Sequence, residues 1–265
     1  MDFGLIIIGD EILSGRRQDK HMGRVIELLA ARGLPLAWVR YVGDERSLIT
    51  RTLRDAMDSG AVVFSCGGIG ATPDDHTRQC AASAAGLPLA LHPEAKVLIQ
   101  QRIRQLADEQ GLPHELDRPD NLHRLNMGVF PQGARIIPNP YNQIPGFSLG
   151  HVHFVPGFPV MAHPMIEWVL AHHYVDMVPL SWAEQSLLVY GGMEAALTPL
   201  MEAIEQSHPE VRIFSLPSVD HPQRGRHIEL GVKGPAAAVP LAFEALRLGL
   251  AASPGLRLEL IDGTK

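Results

Sequence analysis

Ser65-Cys66-Gly67-Gly68-Ile69-Gly70-Ala71-Thr72-Pro73-Asp74-Asp75-His76-Thr77 is the stretch whose reading decides the fold. The apolar run at residues 61–64 before it predicts a buried strand. Residues 75–85 after it predict a helix, with Asp74 or Asp75 available to cap the first turn. Gly67, Gly68 and Gly70 lie between. A strand that ends in glycines and opens into a helix exposes backbone amides to an anion, and the helix's positive end adds to their field. The adjacent carboxylates Asp74 and Asp75 would repel a phosphate unless a divalent cation sat between. The plainer alternative is a tight turn followed by an acidic helix start. The loop is not a Walker loop, since no Lys-Ser/Thr follows the glycines, and it is not the dinucleotide fingerprint.

Upstream the same grammar repeats. Residues 3–8 predict a strand that exits through Gly9-Asp10-Glu11-Ile12-Leu13-Ser14-Gly15, again glycine plus paired carboxylates. Asp19 is placed to cap a helix whose apolar positions Met22, Val25, Ile26 and Leu29 keep a 3.6-residue period, closed by Gly33. Residues 34–42 form the next strand, and Asp44 is placed to cap a helix with Leu48, Ile49, Leu53 and Met57 inward. Strands alternating with such helices give an α/β fold with a parallel sheet, whose ligands sit beyond the carboxyl ends of the strands. Asp10, Glu11, Asp74 and Asp75 are therefore expected to converge at one edge and to hold a metal.

Downstream, a short strand at 87–91, a long helix at 93–110, a short helix from Asn121, and strands at 133–137 and 151–155 precede a helix ending near His173. His151 and His153 share one strand face, which admits a metal site with no identified third ligand or a merely solvated pair. Met161, Met165, Trp168 and Val169 read as core. From about residue 180 the order becomes βαββαβ, the ferredoxin-like pattern, with Thr198 as a helix cap and Pro199 behind it. This stretch shows no chemical constellation and reads as a packing or dimerisation domain. The expected domains are residues 1–175 and 176–265.

Composition narrows the function. The 265 residues are 46% hydrophobic and 20% charged, the texture of a globular protein. No run approaches the length of a membrane span, and the first residues enter a strand with no basic leader. Two cysteines, Cys66 and Cys80, make no disulfide framework and suit a reducing cytoplasm. A net charge of −6 argues against nucleic acid as partner. An anionic ligand must then be drawn by local features.

Gly9 to Gly15, Val42-Gly43-Asp44, Gly67 to Thr77, Pro138-Asn139-Pro140, Pro145-Gly146 and Val155-Pro156-Gly157-Phe158-Pro159 follow the order seen in CinA-type competence/damage-inducible proteins. Residues 1 to about 175 resemble the molybdopterin-binding-like (MogA/MoaB-type) domain of that family, a three-layer sheet domain with a mixed edge. Residues 180–265 resemble the small α/β domain that follows it. No counterpart of the family's C-terminal deamidase domain is present, and that activity is expected to be absent. The resemblance implies a pterin or nucleotide phosphate at the sheet edge, with Asp75 at the position essential for adenylyl transfer in the molybdopterin relatives. In CinA and in FAD synthases, the similar domain implies metal-dependent cleavage of ADP-ribose or FAD.

These implications set the expected roles. Asp75, Asp74 and Asp10 would be catalytic. Asp10, Glu11, Asp74 and Asp75 would hold magnesium, manganese or cobalt. Gly67, Gly68, Gly70, Thr72, Ser14, Lys20 and Asn142 would bind the ligand. The leading expectation is a cytoplasmic, metal-dependent nucleotide pyrophosphatase that binds neither nucleic acid nor membrane and assembles as a homo-oligomer; the alternatives are a molybdopterin-binding or adenylyl-transfer protein and a non-catalytic oligomeric scaffold. Two departures bear on the ligand. Lys20-His21 replaces the family's Thr/Ser-Asn, and Asn142-Gln143-Ile144 replaces its Gly-Thr-Ala.

Overall fold

The computed structural model describes residues 2–175, Met177 and residues 182–261. The chain divides into two compact units, Met1–Met177 and Val178–Lys265.

The first unit runs β1 (Phe3–Ile8), α1 (Asp10–Leu13), α2 (His21–Ala30), β2 (Leu36–Val42), α3 (Arg46–Asp58), β3 (Val62–Cys66) and α4 (Thr77–Ala85). It continues with β4 (Leu89–Leu91), α5 (Pro93–Glu109), α6 (Pro119–Leu125), β5 (Val129–Pro131), β6 (Arg135–Ile137), β7 (Gly146–Leu149), β8 (Val152–Val155) and α7 (Pro159–His173). The main sheet has the order β2-β1-β3-β8-β7-β6. Its first four strands are parallel, and β7 and β6 add an antiparallel edge. Every residue of β1 and β3 is buried, as continuous apolar strands covered on both faces should be. Phe3, Leu5 and Ile7 pack with α2 and α7 on one face; Ile6 and Ile8 pack with α3 and α4 on the other. This is a three-layer α/β arrangement whose parallel sheet ends in an antiparallel, mixed edge, as the resemblance implies.

The strand expected at 87–91 does not extend that sheet. Leu89–Leu91 pairs antiparallel with β5 in a separate ribbon. The edge strand β7 is an addition that alternation alone did not predict, because Gly146 is needed for close approach: a Cβ there would lie 2.3 Å from the Phe154 carbonyl oxygen. Asp19 does cap α2, accepting from the amides of His21 and Met22. Asp44 does not cap α3; Glu45 does, through the amides of Ser47 and Leu48. Met165 and Val169 are core, with Met161 and Trp168 packed at its margin.

In the second unit, β9 (Trp182–Tyr190), α8 (Glu194–Ser207), β10 (Arg212–Ser218), β11 (His227–Pro235), α9 (Val239–Ala251) and β12 (Arg257–Leu260) form an antiparallel sheet of order β10-β11-β9-β12. Leu187, Val189, Leu230 and Val232 pack against both helices. Thr198 is not a cap: Pro199 lies inside α8, and the Thr198 hydroxyl donates to the Glu194 carbonyl one turn back. Among the described residues, no helix is long and apolar enough to cross a membrane.

Candidate active site at the carboxyl edge of the parallel sheet

Strands β1, β3 and β8 leave the sheet at Gly9, Gly67 and Pro156-Gly157. Their exits are laced together. The Gly9 amide donates to Val42 O and the Gly67 amide to Val155 O, each at 3.0 Å.

The loop after β3 is held from behind. Gly67 and Gly68 have φ of 109° and 68°, and a Cβ on Gly68 would stand 2.2 Å from Thr77 Oγ1. Thr77 is fully buried; its hydroxyl donates to Gly67 O at 3.0 Å and its amide to Gly68 O at 2.9 Å. Arg78, 4% exposed, donates from Nη2 to Gly70 O at 2.6 Å. Its Nε has no partner among the described residues. Burial lowers the guanidinium's pKa, and the Asp75 carboxylate opposes that shift.

Asp75 therefore does something other than cap. Helix α4 begins at Thr77 with no side-chain cap, because a turn closed by the Asp75 amide on Thr72 O delays the helix. Asp75 Oδ2 instead accepts from the Thr72 amide at 2.9 Å and from the Thr72 hydroxyl at 2.5 Å.

The loop after β1 is more open. Asp10 and Asp44 exchange bonds: the Asp10 amide donates to Asp44 Oδ2 at 2.9 Å and the Asp44 amide to Asp10 Oδ1 at 3.2 Å. Gly43 permits this, since a Cβ there would lie 2.6 Å from Asp10 Oδ1. Burial raises the Asp44 pKa; the Asp10 amide opposes the rise, and the charges of Asp10, Glu11 and Asp74 add to it. Asp10, Glu11, Asp44 and Asp74 thus share one negative field.

Beside it lies a cavity of about 390 Å³ lined by Glu11, Arg17, Lys20, His21 and Gly157, among others. His21 is 5% exposed, and its Nε2 stands 3.1 Å from Gly157 O. A carbonyl oxygen only accepts, so the proton is assigned to Nε2. That bond ties the start of α2 to the exit of β8. Burial pulls the His21 pKa below its usual value, against the opposing pull of the Gly157 carbonyl and the Asp19 charge.

The family profile for a probable molybdopterin-binding domain matches residues 4–174, well over half of the chain. The chain belongs to the molybdopterin-binding domain family. It is 29% identical over 208 residues to a CinA-like protein of Geobacter sp. (strain M21), covering 76% of this chain and 47% of that protein. The chain spans about half the length of the CinA-like relatives it matches. A Metallosphaera sedula protein is 27% identical over 255 residues, covering 89% of this chain and 92% of its own. The crystal structure of the protein CinA, of unknown function, from Thermoplasma acidophilum matches at a TM-score of 0.55 and 25% identity, covering 64% of this chain and 98% of that one.

Within this molybdopterin-binding-type domain, Gly67, Gly68 and Gly70 occupy the loop at the strand ends, and Lys20 lines the cavity with Glu11. Asp10, Glu11 and Asp74 all act by charge on the Asp44 carboxylate. Three expected ligand contacts are differently engaged. Ser14 ends α1 as an exposed residue outside the cavity lining. Thr72 serves Asp75. Asn142 closes its own turn, its Oδ1 accepting from Asn139 Nδ2 and the Ile144 amide.

Among the described residues, no group of three or more His, Cys, Asp or Glu side chains is placed to hold a metal ion. The carboxylates alone do not build a metal cage. His151 and His153 are not a solvated pair either. His153 is fully buried, with Nδ1 at 2.8 Å from Ser148 Oγ and Nε2 at 2.8 Å from Tyr174 Oη, and burial pushes its pKa down to about 3. Cys66 and Cys80 are both free and buried.

Arg17 and Arg78 lie outside the motifs, and Asp44 and Thr77, though inside them, received no site role from the sequence. Asp44 had a signal: Ile8-Gly9-Asp10 and Val42-Gly43-Asp44 are the same strand–glycine–aspartate pattern on adjacent parallel strands. Arg78 had a weaker one, a charge next to Thr77 on the buried face that also carries Cys80, Ala81 and Ala82.

Proposed function

We propose that this edge binds a pterin or nucleotide through its phosphates and acts on a phosphoanhydride or phosphoester of that ligand. The observation that carries the reading is the cavity between the exits of β1 and β8, where Arg17 and Lys20 stand with Glu11 beside the Asp10–Asp44 pair. Cations and strand-end amides bind phosphate oxygens; the carboxylates orient water or the leaving group. His21 holds Gly157 in place across the cavity.

The family's description supports the pterin end of the ligand range. A divalent ion is compatible with these residues only when the ligand completes its shell, as magnesium commonly binds one or two carboxylates plus substrate phosphates. Such an ion would supply charge neutralisation at the phosphate. We place this activity in the cytoplasm, where Cys66 and Cys80 remain thiols.

The test is a panel of ADP-ribose, FAD and a pterin phosphate, each with magnesium, manganese or cobalt and with EDTA, read as phosphate-linkage cleavage and as binding. Metal-dependent cleavage of a nucleotide establishes the hydrolytic form. Tight pterin binding without cleavage establishes the binding form. Neither binding nor cleavage across the panel overturns the proposal.

A further inference from the structure

Helices α2 and α7 meet at a pair of histidines, His21 at the first position of α2 and His163 in the opening turns of α7. The two ring centroids stand 5.4 Å apart with the ring planes at 90°. His21 is buried and His163 half-buried. Each ring carries one buried nitrogen with no partner among the described residues, Nδ1 on His21 and Nε2 on His163. Edge-to-face packing of two rings is ordinary. Two adjacent buried nitrogens left unpaired are not, because each has given up water and gained nothing in return.

The opposite nitrogens define what these two atoms can do. His21 Nε2 donates to Gly157 O at 3.1 Å, so Nδ1 carries the lone pair. Burial, then the charges of His21 and Arg24, lower the His163 pKa, against a hydrogen bond to the Lys20 backbone and the Asp19 charge. Since Nε2 is the unpartnered atom of that ring, the Lys20 bond is assigned to Nδ1–H, and Nε2 carries the lone pair. A ring whose far N–H is fixed on a backbone carbonyl and whose near nitrogen is free is the form in which histidine ligates a metal. Two imidazoles held at about 2.0–2.1 Å by one tetrahedral ion place their centroids roughly 5 Å apart, which the observed 5.4 Å matches.

The surrounding charges suit a cation. Asp19 acts on both rings in the sense that favours positive charge. Arg24 acts against it but is paired with Glu27 at 2.9 Å, and Lys20 is exposed to solvent.

We infer that His21 Nδ1 and His163 Nε2 together bind one divalent cation of the zinc or cobalt kind, for which imidazole is a fitting donor. Among the described residues no third His, Cys, Asp or Glu joins them, so water takes the remaining positions. The ion pins the start of α2 to the start of α7. The site uses none of Asp10, Glu11, Asp74 and Asp75 and does not depend on the phosphate reading of the cavity that His21 also lines.

The test uses the full chain, freed of metal by chelation, at neutral pH. Cobalt binding is read by visible absorption and zinc binding by histidine ring nitrogen NMR, with magnesium as the oxygen-seeking control. One-to-one saturation by cobalt, displacement by zinc, ring shifts concentrated at His21 Nδ1 and His163 Nε2, and no response to magnesium are expected. The melting temperature should rise with zinc. His163→Ala and His21→Asn should each weaken cobalt by about tenfold or more. The melting temperature of each metal-free variant checks its fold; where a variant does not fold, the ring shifts of the parent decide. Absent saturation, ring shifts confined to other histidines such as His172 and His173, or unchanged cobalt affinity in a folded His163→Ala would each overturn the inference.

Discussion

The loops after β3 and after β1 share one sequence grammar, a buried strand, glycine and paired carboxylates, yet they fold into opposite kinds of structure. The β3 loop is closed. Thr77 and Arg78 hold its carbonyls from behind, and Asp75 is engaged by Thr72 in front. The β1 loop is open. Its Asp10 carboxylate accepts from the Asp44 amide, and its far side faces a cavity with Arg17 and Lys20. Glycine and carboxylate at a strand end thus specify a backbone path, and what stands behind that path decides whether its polar groups remain for a ligand.

The difference can be broken most forcefully at Gly68. Gly68→Ala places a Cβ 2.2 Å from Thr77 Oγ1 at a φ of 68°. Left-handed strain and overpacking together should cost about 2–4 kcal/mol in denaturant unfolding. A loss below about 0.5 kcal/mol would show that the loop is not closed from behind. Thr77→Val comes next. It keeps the shape but removes the donor to a buried carbonyl, for an expected loss of about 1–3 kcal/mol.

Asp75→Asn should change stability by less than about 1 kcal/mol, since the amide oxygen can still accept from Thr72. If the carboxylate takes part in cleavage, turnover should nevertheless fall by roughly 10²-fold. Parent-level turnover in a folded variant would confine Asp75 to the turn.

The smallest effect belongs to the open loop. Burial and neighbouring charge raise the Asp44 pKa, so the folded state holds its proton more tightly than the unfolded chain. Its contribution is then fully present below the ordinary carboxylate pKa and is lost as pH rises through the raised value. Asp44→Asn should flatten that pH dependence and leave the melting temperature at neutral pH equal or slightly higher. A marked drop would mean that the Asp10–Asp44 exchange needs the charge.

Much of this was legible in the residues. Apolar runs bounded by glycine gave β1 and β3 almost to their ends, and βαββαβ spacing gave the topology of the second unit. The edge position of Asp10, Glu11 and Asp74 followed from parallel topology alone. What escaped depends on side chains meeting across long separations. Nothing local says that Glu45 outcompetes Asp44 for the α3 amides and frees Asp44 to face Asp10. Nothing local says that Thr72 draws Asp75 away from α4. Arg78 was hidden for the opposite reason, because a charge inside an apolar helix face reads as noise until Gly70 O is found beside it.

The central claim, that the open β1 side receives the phosphate, is tested most directly by calorimetric titration of the bound nucleotide or pterin phosphate against Lys20→Ala and Arg17→Ala. Each should weaken binding by about three- to thirtyfold, with a shallower salt dependence than the parent and an unchanged melting temperature. Affinity and salt dependence equal to the parent in both variants would contradict the account and move the ligand away from this cavity.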